Sequence, residues 1–148
     1  MRFSTLLLAE HVTLTNGLLN ILNGGVNRLI RPFFPAPMGV ALAGMVDLPE
    51  DYANNRPIPV RVLVSSIDDS EVFARIEGAF ASELLPDFDV RAASSPIVVP
   101  LQNVLLSKPG TFKVSATLGD QPAQSLVFEV VHVQPEVSLP PANIANST

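Results

Sequence analysis

Apolar and polar residues alternate along most of this chain in short runs, and turn-forming residues separate the runs. Residues 59–67 place three valines on one side and Arg61 and Ser65 on the other. Period-two alternation is typical of a strand with one face buried. Helical periodicity is almost absent, so the pattern predicts about seven or eight strands. Further runs of this kind cover residues 72–80, 111–118 and 125–133.

The pair Asn16-Gly17 separates two apolar runs, residues 3–15 and 18–22. Asn and Gly both tolerate positive φ, which a type I′ turn requires at its two central positions. The sequence therefore predicts a β-hairpin at the start of the chain. Two glycines follow at positions 24 and 25 and predict a bulge or a close backbone approach, with the second strand continuing through residues 26–30.

Regularly spaced strands with turn signals between them predict the fold class. We expect an all-β, two-sheet antiparallel β-sandwich, immunoglobulin-like in general architecture, with a closed barrel as the alternative. Residues 1–133 form a single domain in this prediction. Residues 134–148 contain three prolines and little apolar surface, and are predicted to be a C-terminal tail.

Residues 38–48 are apolar at nearly every position, which favours a strand buried on both faces. The outer face of a two-layer sandwich normally meets water, so we expect a second copy or a partner to cover this strand. Two adjacent aromatics precede it in a proline-framed loop and are predicted to enter either their own core or a subunit interface. The predicted interface consists of Phe33, Phe34, Met38, Val40, Leu42, Met45 and Val46.

Charged residues make up 16% of the chain, against about 25% in a typical soluble domain. Either another chain covers part of the surface, or uncharged polar residues cover it. The net charge of −5 disfavours binding to a phosphate backbone, so no nucleic-acid partner is expected. The apolar run at residues 6–9 meets Glu10 and His11 at once, so no signal peptide is predicted. The uncharged stretch at residues 32–46 contains three prolines, so no membrane-spanning helix is predicted. We expect a cytoplasmic protein, or a virion-associated one if it is phage-borne.

Candidate chemistry is sparse. The chain has no cysteine, which excludes disulfides, thiolate zinc sites and a cysteine nucleophile. The two histidines, His11 and His132, fall in the first and last strands and are interpreted as polar-face or edge residues. Asp68, Asp69 and Glu71 cluster at a turn, where local hydrogen bonding explains them better than calcium binding. No catalytic group, metal site or cofactor is predicted.

Residues 16–25 read Asn-Gly-Leu-Leu-Asn-Ile-Leu-Asn-Gly-Gly. This stretch resembles an N-G-x-L-N-I-L-x-G-G segment near the start of a group of small uncharacterised bacterial proteins, mainly actinobacterial. Residues 109–112 and 127–130 resemble the P-G-x-Y/F and F-x-V ending of many sandwich domains. The resemblance implies a bacterial protein of unknown function and brings no activity, cofactor or catalytic residue.

These observations favour a non-enzymatic protein-interaction or self-assembly module that acts as a homo-oligomer or with a protein partner. The alternative is a sandwich that binds a small ligand or a carbohydrate. The absence of tryptophan and the single tyrosine, Tyr52, count against sugar stacking.

Overall fold

The computed structural model describes residues 1–49, 57–80 and 94–134. The regular secondary structure of these residues is entirely β-strand, which confirms the predicted all-β class. The strands are β1 (Arg2–Thr15), β2 (Leu18–Gly24), β3 (Arg28–Arg31), β4 (Ala36–Pro37), β5 (Ala41–Asp47), β6 (Ile58–Ser66), β7 (Val72–Phe80), β8 (Ser94–Pro100), β9 (Leu105–Leu106), β10 (Gly110–Leu118) and β11 (Gln124–His132).

The strands form a four-stranded sheet in the order β2-β1-β5-β8 and a five-stranded sheet in the order β3-β11-β10-β6-β7. A small two-stranded sheet joins β4 and β9. Neighbouring strands are antiparallel except β3 and β11, which are parallel. The expectation of purely antiparallel sheets was therefore wrong at this edge.

The parallel pair arises because the chain changes sheets after β2. Asn23 and Gly25 adopt positive φ angles of 53° and 84°, which turn the backbone out of the strand. The N–H groups of Gly25 and Val26 both donate to the carbonyl oxygen of Leu8, at 2.8 and 2.9 Å. β3 then begins at Arg28 beside β11. The prediction that the second strand continues through residues 26–30 was wrong, since the chain crosses to the other sheet at Gly25.

Side chains from both larger sheets form one hydrophobic core. The predicted alternation is present in β6 and β10, where buried and more exposed positions follow each other along most of the strand. The largest fully buried side chains are those of Phe112, Phe128, Leu8, Met38 and Leu101, together with several smaller residues. The core therefore fixes the position of β1, from which the candidate interaction surface extends.

Exposed ion pairs join strands of the five-stranded sheet. Arg61 Nε lies 3.1 Å from Glu77 Oε1, and Arg28 Nη2 lies 3.4 Å from Glu129 Oε2. Exposed pairs of this kind contribute little stability. Their charged side chains are typical of a solvent-exposed surface.

Residues 135–148 lie outside the described residues, and with them nearly all of the predicted tail. In the ranges that the structure describes, no helix has the length and apolar character needed to cross a membrane.

Candidate interaction surface

The first hairpin extends beyond the sheet to which it belongs. Residues 2–9 of β1 pair with β5, whereas residues 9–15 pair with β2. Beyond Ala9, β1 and β2 pair only with each other among the described residues, and so they form a two-stranded ribbon. We refer to residues 10–24 as the arm.

The tip of the arm has the predicted turn. Asn16 and Gly17 have φ angles of 52° and 74°, so both central residues are in the positive region that a type I′ turn requires. The flanking residues Thr15 and Leu18 are opposite each other, as expected for a two-residue connection. Asn20 Nδ2 donates to Thr15 Oγ1 at 3.0 Å and fixes the tip further. The hairpin prediction is confirmed.

Toward its tip, one face of the arm carries only apolar side chains, whereas the opposite face mixes polar side chains with the exposed Leu18 and Leu22. Directly opposite residues in an antiparallel pair lie on the same face, so the pairs Val12–Ile21 and Leu14–Leu19 share one face. Leu14 is 51% exposed and Ile21 is 41% exposed, while the other two are half-buried. We call these four side chains the apolar face of the arm. Contiguous exposed apolar side chains mark interaction sites more often than isolated ones do.

The described part of the chain also gives the arm little support. A two-stranded ribbon is marginally stable in water because it has no second layer on which to bury its apolar side chains. Of residues 10–24, only Val12 and Leu19 are half-buried, and the others are exposed. Contact with another surface would therefore stabilise the arm and remove its apolar face from water together.

A groove of about 480 Å³ lies between the base of the arm and β3. Its cationic side chains already have partners in the chain. The Arg31 guanidinium donates to the carbonyl oxygens of Met38, Ile30 and Pro37, at 2.7, 2.8 and 3.1 Å. Arg28 is paired with Glu129. Both arginines therefore act structurally, and Arg31 holds the proline-framed loop against β3.

The two aromatics of that loop have different environments. Phe33 is 72% exposed. The half-buried ring of Phe34 packs against the core and lies 5.9 Å, centroid to centroid, from His132. His132 Nε2 is 2.9 Å from the carbonyl oxygen of Pro32, which ties the loop to β11. Of the two aromatics predicted at an interface, Phe33 is the one left on the surface.

Four other predicted interface residues belong to the core. Met38, Val40, Leu42 and Val46 are each at most 2% exposed. β5 lies between β1 and β8, and these side chains pack into the cluster shared with the five-stranded sheet. We therefore correct their assignment from interface to core. Only Met45 of the predicted β5 positions is partly exposed.

The acidic turn after β6 is held together by its own hydrogen bonds. Asp68 Oδ1 accepts bonds from Ser70 Oγ at 2.7 Å and from Ser66 Oγ at 2.9 Å. Asp69 is paired with Lys113, and Glu71 accepts a bond from Lys108 Nζ at 2.6 Å. Each carboxylate thus has a partner in the protein: local turn chemistry supplies those of Asp68, as predicted, and lysines distant in sequence supply those of Asp69 and Glu71. Among the described residues, no group of three potential ligands is placed to hold a metal ion.

These hydrogen bonds predict an acid-shifted titration. Bonds from Ser70, and then from Ser66, stabilise the ionised form of Asp68 and lower its pKa from 3.8 to about 2. A lowered folded-state pKa gives stability that is present above the unfolded value and is lost as the pH falls from about 4 to about 2. A carboxyl NMR titration should show this pKa, and Ser70→Ala should raise it while Ser115→Ala leaves it unchanged. An Asp68 that titrates at its ordinary value in the wild type would contradict the geometry.

Sequence reasoning found the hairpin but assigned no interface residue to it. No sequence signal marked the arm, because the difference in strand length that exposes it is visible only in the structure. β1 has 14 residues, whereas the neighbouring strand β5 has 7 and cannot pair with all of β1. A long strand beside a short one leaves part of its length outside the sheet, and in this chain that part is the arm.

Comparison with curated proteins and with solved structures gave no match in either case. The family model that does match describes a family of unknown function, DUF6941, and it covers residues 4–131. That range includes the whole arm and ends within β11. It also agrees with the expectation of an uncharacterised family. The chain therefore belongs to DUF6941.

Proposed function

We propose that the protein is a non-enzymatic protein-interaction or self-assembly module whose contact surface is the arm. The observation that carries the proposal is the apolar face: four apolar side chains on one side of a two-stranded ribbon, with Leu14 and Ile21 at 51% and 41% exposure. Burying apolar side chains is the main favourable term in protein association. A partner that covers this face would bury apolar side chains that the described part of the chain leaves exposed.

The contrast with the five-stranded sheet supports this choice of surface. That sheet bears cross-strand ion pairs such as Arg61–Glu77, which suit water. The arm has no charged side chain between His11 and Arg28. Depletion of charge at an exposed apolar patch is typical of the centre of an interface.

The second candidate function, binding of a small ligand or carbohydrate, has the groove beside β3 in its favour. Two features of that groove weigh against it. Its arginines are engaged with carbonyl oxygens and with Glu129, and none of its described lining residues is a phenylalanine, tyrosine or tryptophan. We therefore favour the arm. The same proposal holds that the two larger sheets stack as an immunoglobulin-like sandwich, which an experimental structure would test. It also holds that the protein is cytoplasmic, which cell fractionation would test.

The proposal is tested by placing charge on the apolar face. Leu14→Lys combined with Leu19→Lys should convert the native complex isolated from producing cells to the size of the free chain. Thr13→Lys combined with Thr15→Lys is the matched control, because it adds the same charge to the opposite face of the same ribbon. The control should keep the native size. Equal behaviour of the two variants, with both still folded by circular dichroism, would overturn the proposal.

A further inference from the structure

We infer that the arm binds a second copy of this chain, and that the two copies pair antiparallel through the outer edges of their β2 strands, centred on Asn20. This inference rests on the proposed function and names the partner of the same surface. The pairing would join two four-stranded sheets into one continuous sheet across a twofold axis. Three features of β2 lead to it.

The first feature is that β2 is an unprotected edge. Exposed strand edges normally carry charges or prolines, which prevent pairing with another chain. Among the described edge strands of the two larger sheets, β3, β7 and β8 have such residues and β2 has none. The protecting residues are Arg28 and Arg31 in β3, Arg75 and Glu77 in β7, and Pro96 and Pro100 in β8.

The second feature is that the sequence of β2 is self-complementary. Its residues Leu-Leu-Asn-Ile-Leu, positions 18–22, have the same order of apolar and polar side chains in both directions. In an antiparallel pair centred on Asn20, Leu18 faces Leu22, and Leu19 faces Ile21 of the other copy. Asn20 faces itself. Each of the other contacts occurs twice, as an isologous interface requires, and the apolar faces of the two arms meet on one side of the sheet.

The third feature is that the backbone groups of this register match. A type I′ turn joins the Thr15 carbonyl to the Leu18 N–H, so Leu18 directs its backbone groups toward β1. Along an antiparallel strand this direction alternates, so Leu19 and Ile21 direct theirs outward. The register centred on Asn20 places these outward groups opposite each other. A shift by one residue would place the two apolar faces on opposite sides.

Charge also favours a second copy over a different protein. Residues 12–27 contain no charged side chain, so two copies of the arm meet without like-charge repulsion despite the net charge of −5. The one charged carboxylate of the arm, that of Glu10 at its base, already accepts a bond from Asn23 Nδ2, so a partner of opposite charge would find no free charge beyond it. The positive φ of Asn23 ends the extended backbone and limits the paired stretch to the self-complementary residues.

The chain has no cysteine, so single-cysteine variants report the register without background. Asn20 and its copy would form a non-hydrogen-bonded pair, whose Cα atoms lie about 4.5 Å apart, within the span of a disulfide. After oxidation, Asn20→Cys should form a covalent dimer in about tenfold higher yield than Thr13→Cys, because only position 20 lies within disulfide distance of its copy. Thr13 lies opposite Asn20 on the same face but one strand away from the axis. Equal yields, or a maximum at position 18 or 22, would overturn the inference.

A second pair of variants separates edge pairing from packing of the apolar faces. Ile21→Pro removes an outward N–H and leaves the hydrogen bonds to β1 in place, whereas Ile21→Ala shortens the side chain and keeps the N–H. Sedimentation should show the dimer dissociation constant raised on the order of tenfold more by proline than by alanine. Equal effects would overturn edge pairing.

The wild-type mass separates this inference from the proposed function. A dimer at micromolar concentration supports both. A monomeric purified chain whose native complex in cells is still lost with Leu14→Lys and Leu19→Lys overturns the second copy and leaves the interaction module. A monomer that is insensitive to those changes in cells overturns both.

Discussion

Gly44→Ala is expected to lower the free energy of unfolding by about 2–4 kcal/mol, a loss typical of overpacking in a core. A Cβ atom at this position would lie 2.7 Å from the carbonyl oxygen of Thr5 and 3.2 Å from Leu6 Cδ1. The first of these atoms belongs to the backbone of β1 and has no rotamer by which to move away. Gly44 is thus required for the close approach of β5 to the strand that continues into the arm. Denaturant unfolding measures the loss.

Gly78→Ala is the matched control. Gly78 is also a strand glycine, in β7, and a Cβ there would meet no heavy atom within 4 Å. We expect a change within about 0.5 kcal/mol, or a slight gain from the reduced entropy of the unfolded chain. Both proteins must be compared at one concentration, because association stabilises the folded state. Equal losses at the two positions would contradict the packing between β1 and β5.

Phe112→Ala is expected to cost about 3–5 kcal/mol, the usual range for removing a buried phenylalanine ring. Phe112 is 2% exposed and lies at the centre of the aromatic cluster. Its ring is perpendicular to that of Phe73 at a centroid distance of 5.1 Å, and 5.9 Å from that of Phe128. The substitution removes both contacts and leaves a cavity. Thr111→Ala, at the exposed neighbouring position, should change the stability by less than about 0.5 kcal/mol.

The same denaturant measurement checks this pair of variants. A loss below about 1 kcal/mol for Phe112→Ala would show that the site is not the packed centre of the core. In that case the side chains of β10 and β11 would not form the centre of the core shared by the two larger sheets.

Local features of the chain could be predicted well from sequence. The run at residues 72–80 coincides with β7, and the turn at Asn16-Gly17 has the predicted positive φ angles. Both depend on residues close in sequence: alternation fixes which side chains share a face, and turn chemistry fixes where a strand ends. The all-β class follows from the sum of such local signals.

Non-local features could not be predicted in this way. Whether Val40 and Leu42 are covered by their own chain depends on which strands lie beside and above β5, and apolar runs look alike in a core and at an interface. The sheet joined by β3 depends on a crossover at Gly25, which sequence reasoning interpreted as a bulge. The arm was missed for the same reason, since its exposure follows from the shorter length of β5 and not from its own residues.

Site-specific photo-crosslinking tests the central claim, that the arm is the contact surface, most directly. A photoreactive apolar amino acid at position 19 reports on the apolar face, and the same group at position 115 reports on β10 in the five-stranded sheet. In cells that produce the protein, we predict a discrete crosslinked product from position 19 and little or none from position 115. Crosslinking at position 115 alone, or no product from position 19 in a folded protein, would contradict the account.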